Sequence, residues 1–247
     1  MTLAMKLALS PLLIAQAVGA RRRALVLPEA DGPRDGVHGI GNRQPLRLLI
    51  AGDSSAAGVG VANQDVALAG HLVRTLHASL RRPIHWSLRA RTGVTTRQLH
   101  ALLEADDALP AAEIAVIVTG VNDIIAMLPP RRALAHRAAL ADWLLARGIG
   151  HVAFAALPPL GSFPLLPEPL RRVMGREARA HDDALARWAA TRSDVSHVPL
   201  AVQLTVETMA ADGFHPGEPV YRHCGEAIAA HVARHIGQAN HPRGDPR

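Results

Sequence analysis

The sequence predicts an α/β fold in which a parallel sheet lies between two layers of helices. Short apolar segments, typical of strands buried on both faces, alternate along the chain with longer segments in which apolar residues recur at helical spacing. A helix between successive strands is the usual connection in a parallel sheet. We therefore expect a flavodoxin-like, three-layer α/β/α sandwich with a five-stranded parallel sheet.

Five segments have the pattern of buried strands, and IAVIVT at 114–119 gives the strongest signal. In chain order they are residues 46–51, 84–90, 114–119, 151–156 and 195–198. Helical spacing predicts helices at 66–80, 95–105, 131–147 and 170–190, and a last helix from about 219 to 235. Thr95 or Thr96 can cap the second of these helices, and Gly148 follows the third.

The composition of the 247 residues divides the chain into one large domain and two extensions. Residues 1–45 are predicted to be an N-terminal extension and linker, because an apolar and then basic segment is followed by the Gly-, Pro- and Asp-rich residues 28–45. Residues 46–237 form the domain, and residues 238–247 are expected to be a flexible tail. Hydrophobic residues make up 49% and charged residues 19%, which excludes a disordered chain.

Residues 7–23 combine an apolar stretch with the run Arg21-Arg22-Arg23, and three interpretations stay open. Residues 1–20 fit a signal peptide of an exported protein. A helix of about 14 residues reaches only about 21 Å, too short to cross a membrane, but residues 7–23 also fit peripheral contact with a membrane surface. The third interpretation is a helix packed on its own domain. Localisation, cytoplasmic or exported, therefore stays open.

The net charge of +6 raises the question of a nucleic-acid partner. The 27 basic residues are arginines except for Lys6, aromatic residues make up only 3%, and no nucleic-acid-binding motif is present, so no such partner is expected. The single cysteine, Cys224, excludes a disulfide framework and a Cys-based zinc cluster. His231 and His235 have a metal-compatible spacing but lack the glutamate of an HExxH motif, so we interpret them as surface histidines and expect no metal site.

Four polar segments follow predicted strands or precede the last helix. They are GDSS at 52–55, RTG at 91–93, GVND at 120–123 and DGFHP at 212–216. Ligands bind at the carboxyl ends of the strands in open α/β sheets, so these segments are expected to meet in one site. Together they supply a nucleophile, a base, an orienting carboxylate and hydrogen-bond donors, which is the set that acyl transfer requires.

Each of these residues has a chemical role that suits its type. Ser54 is a weak nucleophile until an imidazole takes its proton, and His215 is the candidate base. Asp212 can hold the other ring nitrogen of His215 and stabilise the imidazolium. The backbone N–H groups of Ser54 and Gly93 and the side-chain amide of Asn122 are the natural donors to a developing oxyanion.

These segments resemble the four motif blocks of the SGNH hydrolases, also called GDSL esterases and lipases. GDSSAAGVG contains Ser54, RTG contains Gly93, GVND contains Asn122, and DGFHP contains Asp212 and His215. The resemblance covers residues 46–236 in block order and implies a nucleophile, two further oxyanion donors, an orienting carboxylate and a base at these five positions. The first block departs from the family's name-giving form, because it has GDSS where that form has GDSL, and the second rests on one short segment.

Neighbouring polar residues have structural interpretations. Asp53 is expected to bond loop amides, and Asp123 to cap the segment after GVND. Ser55 is a rival nucleophile that the motif spacing disfavours. The start of the domain matches neither GxxxxGK[ST] nor GxGxxG, which argues against a phosphate-binding loop, and no GxSxG is present.

The resemblance implies a serine-dependent esterase or lipase acting on short or medium acyl esters, with no cofactor. Alternatives are an acyl thioesterase, a lysophospholipase, an acyltransferase with an alcohol acceptor, and a non-catalytic binding module. The apolar, proline-rich loop 157–169 is expected either to form a wall of an acyl pocket or to pack at the surface. The partner is a small-molecule ester, and the oligomeric state stays open.

Overall fold

A computed structural model describes residues 3–239, without the side chains of residues 3–10, 21 and 239. Most of the predicted tail at 238–247 lies outside the described residues. The described part of the chain forms a sheet with helices on both of its faces.

Six strands form this sheet in the described residues. They are β1 (Asp35–His38), β2 (Leu46–Gly52), β3 (Ile84–Ala90), β4 (Ile114–Val118), β5 (His151–Ala155) and β6 (Val195–Val198). Their spatial order is β1-β3-β2-β4-β5-β6, and all neighbours are parallel except β1 and β3. The five parallel strands are confirmed, but the total of five was wrong, because β1 lies within the segment interpreted as a linker.

Strand β1 was missed because tertiary contacts, not its own sequence, define it. Its four residues, Asp-Gly-Val-His, show no buried alternation. It pairs antiparallel with β3 at the edge of the sheet, and Asp35 accepts a hydrogen bond of 2.9 Å from Arg89 of β3. Gly36 lies against the indole of Trp86, where a Cβ would come within 3.2 Å of Nε1. Neither contact is visible as a periodic pattern.

Eight helices accompany the strands in this part of the chain. They are α1 (Leu3–Arg23), α2 (Ser54–Ala57), α3 (Leu68–Leu80), α4 (Thr96–Glu104), α5 (Val121–Ile125), α6 (Pro130–Ala146), α7 (Leu170–Ala189) and α8 (Glu218–Ala239). The five predicted helices correspond to α3, α4, α6, α7 and α8. Helices α2 and α5 are too short for a periodic signal, yet they follow β2 and β4 where the predicted site residues lie.

The alternation of side chains in β2 divides the core into two layers. Leu49 and Ala51 pack in the layer that contains α4, α6 and α7, whereas Leu48 and Ile50 pack with α3 and α8. All four are buried completely or nearly so, as expected for a central parallel strand. The predicted three-layer α/β/α sandwich is therefore confirmed, and the carboxyl ends of β2, β3 and β4 meet at one edge.

Helix α1 lies against the start of α7. Ala20 is buried in the core, and the Gln16 side chain donates a hydrogen bond to the Glu168 carbonyl and accepts one from the Leu170 amide. Its side chains Leu12, Ile14 and Val18 are exposed. Among the described residues, no helix combines the length and the apolar character that crossing a membrane requires.

Candidate active site

Ser54 lies at the point where β2 passes into α2. The carboxylate of Asp53 caps this helix by accepting a hydrogen bond of 3.0 Å from the Ser55 amide, as predicted for a structural role of Asp53. Gly58 ends the helical turn in a left-handed conformation. Ser54 is only 8% exposed, so its hydroxyl is held in a recess and not on an open surface.

His215 and Asp212 approach Ser54 from the segment that precedes α8. His215 Nε2 is 3.0 Å from Ser54 Oγ, and His215 Nδ1 is 2.5 Å from Asp212 Oδ2. The other carboxylate oxygen of Asp212 accepts bonds of 2.9 Å from the amides of Phe214 and His215. The structure thus brings the three predicted residues together in one hydrogen-bonded chain.

The environment of Asp212 favours its charged form. Burial acts to raise its pKa, but the hydrogen bonds from the His215 ring and from the two amides outweigh burial, and the pKa is lowered below its ordinary value. An ionised carboxylate at this position holds the Nδ1 proton of His215 and leaves Nε2 as the acceptor that faces Ser54.

Gly60 allows the two segments to approach each other. Its φ is 106°, a conformation that side chains disfavour, and a Cβ on it would collide with the carbonyl oxygen of Pro216, next to His215. The approach of the His215 segment to the Ser54 segment therefore depends on a glycine at this position.

Gly93 and Asn122 lie on the loops that follow β3 and β4. Gly93 has φ 82°, is exposed, and faces open space where a Cβ would stand. Asn122 Nδ2 donates to the Val94 carbonyl at 3.0 Å and lies 3.5 Å from Asp53 Oδ2. The two loops are therefore bonded together beside the serine turn.

Asp53 has the most perturbed carboxylate of the site. Burial raises its pKa to about 7, although the Ser55 amide and the charge of His215 act in the opposite direction. A buried carboxyl group that titrates near neutrality is typical of functional sites, but structural networks produce it as well.

Asp123 was predicted to cap the segment after GVND, and this prediction was wrong. Gly120 occupies the cap position of α5, and Asp123 lies inside the helix with its side chain fully buried. Its carboxylate accepts hydrogen bonds from the amide and hydroxyl of Thr96 and forms an ion pair with Arg137. The prediction failed because both partners are distant in the sequence.

An apolar pocket with a cavity volume of about 80 Å³ opens beside Ser54 and His215. The carboxyl ends of β4 and β5, the segment 200–209 and one face of α8 line it. Pro158 and Phe163 also line it, so part of the loop 157–169 forms a wall of the pocket, one of the two interpretations above.

The α8 face of the pocket could not be recognised in the sequence. Tyr221, Cys224 and Ile228 recur at helical spacing, a signal that marks a buried face but does not distinguish a pocket from a core. Burial raises the pKa of the Cys224 thiol to about 12, so this side chain contributes apolar surface and not a thiolate.

His231 and His235 lie far along α8 and are half-buried, so the interpretation as surface histidines was wrong. His231 Nε2 is 2.9 Å from Ser196 Oγ, and His235 stacks on His151 with ring centroids 3.6 Å apart. The last turns of α8 cover the ends of β5 and β6, which the helical spacing alone does not reveal. Among the described residues, no group of His, Cys, Asp or Glu side chains is arranged to hold a metal ion.

Known proteins resemble this chain in both sequence and fold. Residues 50–223, which include Ser54 and His215, match the GDSL-like lipase/acylhydrolase family. The chain belongs to this family. It is a hydrolase that acts on ester bonds. The GDSL-like esterase Rv1075c from Mycobacterium tuberculosis (strain ATCC 25618 / H37Rv) is 29% identical over 230 residues, which cover 85% of this chain and 72% of that protein.

Solved structures share the fold of this GDSL-like hydrolase. The lipase Lip_vut3 from a goat rumen metagenome has a TM-score of 0.64 at 15% identity and covers 75% of this chain and 96% of its own. TesA has a TM-score of 0.61 at 22% identity, with 76% and 99% covered. At these identities the similarity establishes the three-layer fold.

Proposed function

We propose that this chain is a serine-dependent carboxylic ester hydrolase in which Ser54 is the nucleophile, His215 the general base and Asp212 the orienting carboxylate. The observation that carries the proposal is the continuous hydrogen-bond chain from Ser54 Oγ through His215 to Asp212, beside an apolar pocket. A nucleophile, a base and an orienting group in this order are the arrangement for serine acyl transfer.

In the first half of the reaction, Ser54 Oγ attacks the carbonyl carbon while His215 Nε2 takes the hydroxyl proton. The carbonyl oxygen becomes an oxyanion that accepts hydrogen bonds from the amides of Ser54 and Gly93 and from the side chain of Asn122. The side-chain amide of Asn122 has two N–H groups, one directed at the Val94 carbonyl at 3.0 Å and one at Asp53 at 3.5 Å. We assign the oxyanion contact to the N–H that faces Asp53, because its present hydrogen bond is the weaker one.

Collapse of the tetrahedral species breaks the ester C–O bond. The alcohol leaves with the proton from His215, and the acyl group stays on Ser54. Water then attacks the acyl carbon while His215 takes its proton, and the second collapse releases the carboxylic acid and restores the Ser54 hydroxyl. Asp212 stabilises the imidazolium in both halves through its bond to Nδ1.

The pocket favours an alkyl chain as the acyl group. Asp53 and His215 are the only acidic or basic side chains among the described residues that line it. An apolar wall with few polar groups is typical of a site for small apolar ligands. The rings of Phe163, Phe214 and Tyr221 form part of its wall. We therefore propose short or medium acyl esters as the substrates.

Hydrolysis of a p-nitrophenyl ester series from acetate to palmitate tests this function. Ser54→Ala is expected to lower kcat by at least about 10³-fold, since the nucleophile is lost. Ser55→Ala is the matched control, because it removes the adjacent hydroxyl and keeps the amide that Asp53 binds. Activity that survives in Ser54→Ala but not in Ser55→Ala would overturn the assignment.

The chain-length profile of the wild type tests the substrate class in the same assay. A maximum between acetate and octanoate agrees with the proposal, whereas a maximum at palmitate contradicts it. If p-nitrophenyl esters are not hydrolysed but acyl thioesters of the same chain lengths are, the chemistry of Ser54 stands and the proposed ester class is wrong.

A further inference from the structure

A buried charged cluster lies behind the two loops that carry Gly93 and Asn122. The side chains of Asp123 and Arg137 are fully buried, with Arg137 Nη2 3.4 Å from Asp123 Oδ2. Thr96 completes the cluster, because its amide donates to Asp123 Oδ1 at 2.9 Å and its hydroxyl donates to Oδ2 at 2.6 Å. The three residues come from α5, α6 and α4, respectively.

Stability alone does not explain this cluster. Removing an ion pair from water costs about as much free energy as the attraction returns, so a buried pair is weak evidence for stabilisation. Among the described residues, Nε and Nη1 of Arg137 have no hydrogen-bond partner, although both are buried. Burial also lowers the pKa of Arg137, which is the sign of an unfavourable environment for its charge. The cluster therefore requires another explanation.

The cluster ties together the loops of the two oxyanion donors. Thr96 starts α4 just after Gly93, and Asp123 is the residue after Asn122. A second bond joins the same loops, since Asn122 Nδ2 donates to the Val94 carbonyl. With Thr96 bonded twice to Asp123, the two loops are joined both within the buried cluster and at the Asn122–Val94 bond beside the serine turn.

Arg137 fixes the backbone at the base of the Asn122 loop. A Cβ on Gly120 would collide with Nη2 of Arg137, so the guanidinium lies directly against the turn from β4 into α5. Gly120 has φ 131°, which also favours glycine. The position of Asn122 thus depends on Arg137, which lies against Gly120, and on Asp123, its neighbour in the sequence.

We propose that Thr96, Asp123 and Arg137 are positioning residues that hold the oxyanion donors of Gly93 and Asn122 at a fixed separation, an inference that rests on the proposed function. None of the three lines the pocket. Donors stabilise a transition state only when they are held where its charge develops. Loss of the hydrogen bonds between the two loops is therefore expected to lower kcat more than it changes KM.

Thr96→Val is the sharpest test, because it removes the hydroxyl bond to Asp123 while keeping the shape of the side chain and the amide bond. With p-nitrophenyl butyrate, kcat is expected to fall about tenfold with KM within about twofold of wild type. Thr96→Ser restores the hydroxyl and is expected to restore kcat. Thr191→Val is the control, since it makes the same exchange and removes a hydroxyl bond outside the cluster, the one to the Trp188 carbonyl.

Two further measurements separate positioning from general loosening of the fold. A butyl trifluoromethyl ketone forms a tetrahedral adduct with an oxyanion, and its Ki is expected to rise in Thr96→Val by the same factor of about ten. In an Asn122→Ala background, Thr96→Val is expected to cost less than about threefold, because one of the two donors whose separation it fixes is gone. Full additivity of the two losses would overturn the proposal.

Arg137→Lys is the second variant if Thr96→Val does not accumulate as folded protein by circular dichroism. It keeps the positive charge but removes the guanidinium that lies against Gly120. The same pattern of lower kcat with unchanged KM is expected. Wild-type kcat in either folded variant overturns the positioning role. Activity in Ser54→Ala would instead overturn the proposed function, so the two failures are distinguishable.

Discussion

Serine and histidine side chains meet within hydrogen-bond distance at both ends of the parallel strands. We call the end with the carboxyl termini of the strands the carboxyl edge and the opposite end the amino edge. At the carboxyl edge, His215 Nε2 lies 3.0 Å from Ser54 Oγ. At the amino edge, His151 Nε2 lies 2.8 Å and His231 Nε2 2.9 Å from Ser196 Oγ. The serine–histidine distance alone therefore does not identify a nucleophile.

The two edges differ in what faces the second nitrogen of the imidazole. Asp212 holds Nδ1 of His215, whereas Nδ1 of His151 has no hydrogen-bond partner among the described residues. Burial and the neighbouring His235 and His231 lower the pKa of His151 to about 4. A base that must become positively charged is stabilised at the carboxyl edge and disfavoured at the amino edge.

Removing the carboxylate is the most direct way to break this difference. Asp212→Asn is expected to lower kcat by roughly 10³–10⁴-fold, because the imidazole loses its orientation and the imidazolium its counter-charge. Ser196→Ala, the matched change at the amino edge, is expected to leave kcat within about twofold of wild type. The measurement is kcat for p-nitrophenyl butyrate at pH 7.5. A strong loss in Ser196→Ala would show that the amino edge takes part in the reaction.

The carboxyl edge could be predicted from the sequence more fully than the amino edge. Ser54, Asn122 and His215 follow strands or precede a helix in short motifs, and parallel topology brings such loops together. At the amino edge, the pairing of β5 with β6 brings His151 to Ser196, and His231 joins them only because α8 packs over these strands. That contact depends on the course of a long helix and leaves no local motif.

Contacts across the fold also explain what the sequence analysis missed near the site itself. The partners of Asp123 lie on α4 and α6, and the pocket face of α8 has the same spacing as an ordinary core face. Motifs identify residues that act through their neighbours in sequence. They do not identify residues such as Arg137, which act through distant neighbours.

The pH dependence of stability gives the next test, because the carboxyl edge buries an acid, Asp53, and the amino edge buries a base, His151. Burial raises the pKa of Asp53 from 3.8 to about 7, so the folded state binds its proton more tightly than the unfolded state. The stability associated with this proton is present below about pH 4 and is lost as the pH rises through 7. Asp53→Asn removes this titration and keeps a group that can accept from the Ser55 amide.

The free energy of unfolding of Asp53→Asn, relative to wild type, is expected to rise by roughly 2–4 kcal/mol between pH 4 and pH 8. Urea denaturation at several pH values measures it, with the exposed Asp107→Asn as the control that shows no such trend. A difference that does not change with pH would mean that folding does not raise the pKa of Asp53.

The amino edge should show the reverse trend, with a smaller size. The pKa of His151 is lowered from 6.5 to about 4, so its contribution to stability is present above about 6.5 and is lost as the pH falls towards 4. The effects of His235 and of His231 on the pKa of His151 are each larger than that of the Asp194 carboxylate, which acts in the opposite direction.

His151→Phe keeps a ring to stack on His235 and removes the proton. Between pH 7 and pH 5, the wild type is expected to lose roughly 1–2 kcal/mol of unfolding free energy relative to this variant, a value reduced for solvent screening. His85→Phe, at an exposed position, is the control. If wild type and His151→Phe lose stability in parallel as the pH falls, folding does not lower the pKa of His151. The contrast between the two edges would then lie in the Asp212 carboxylate and not in the burial of the histidine.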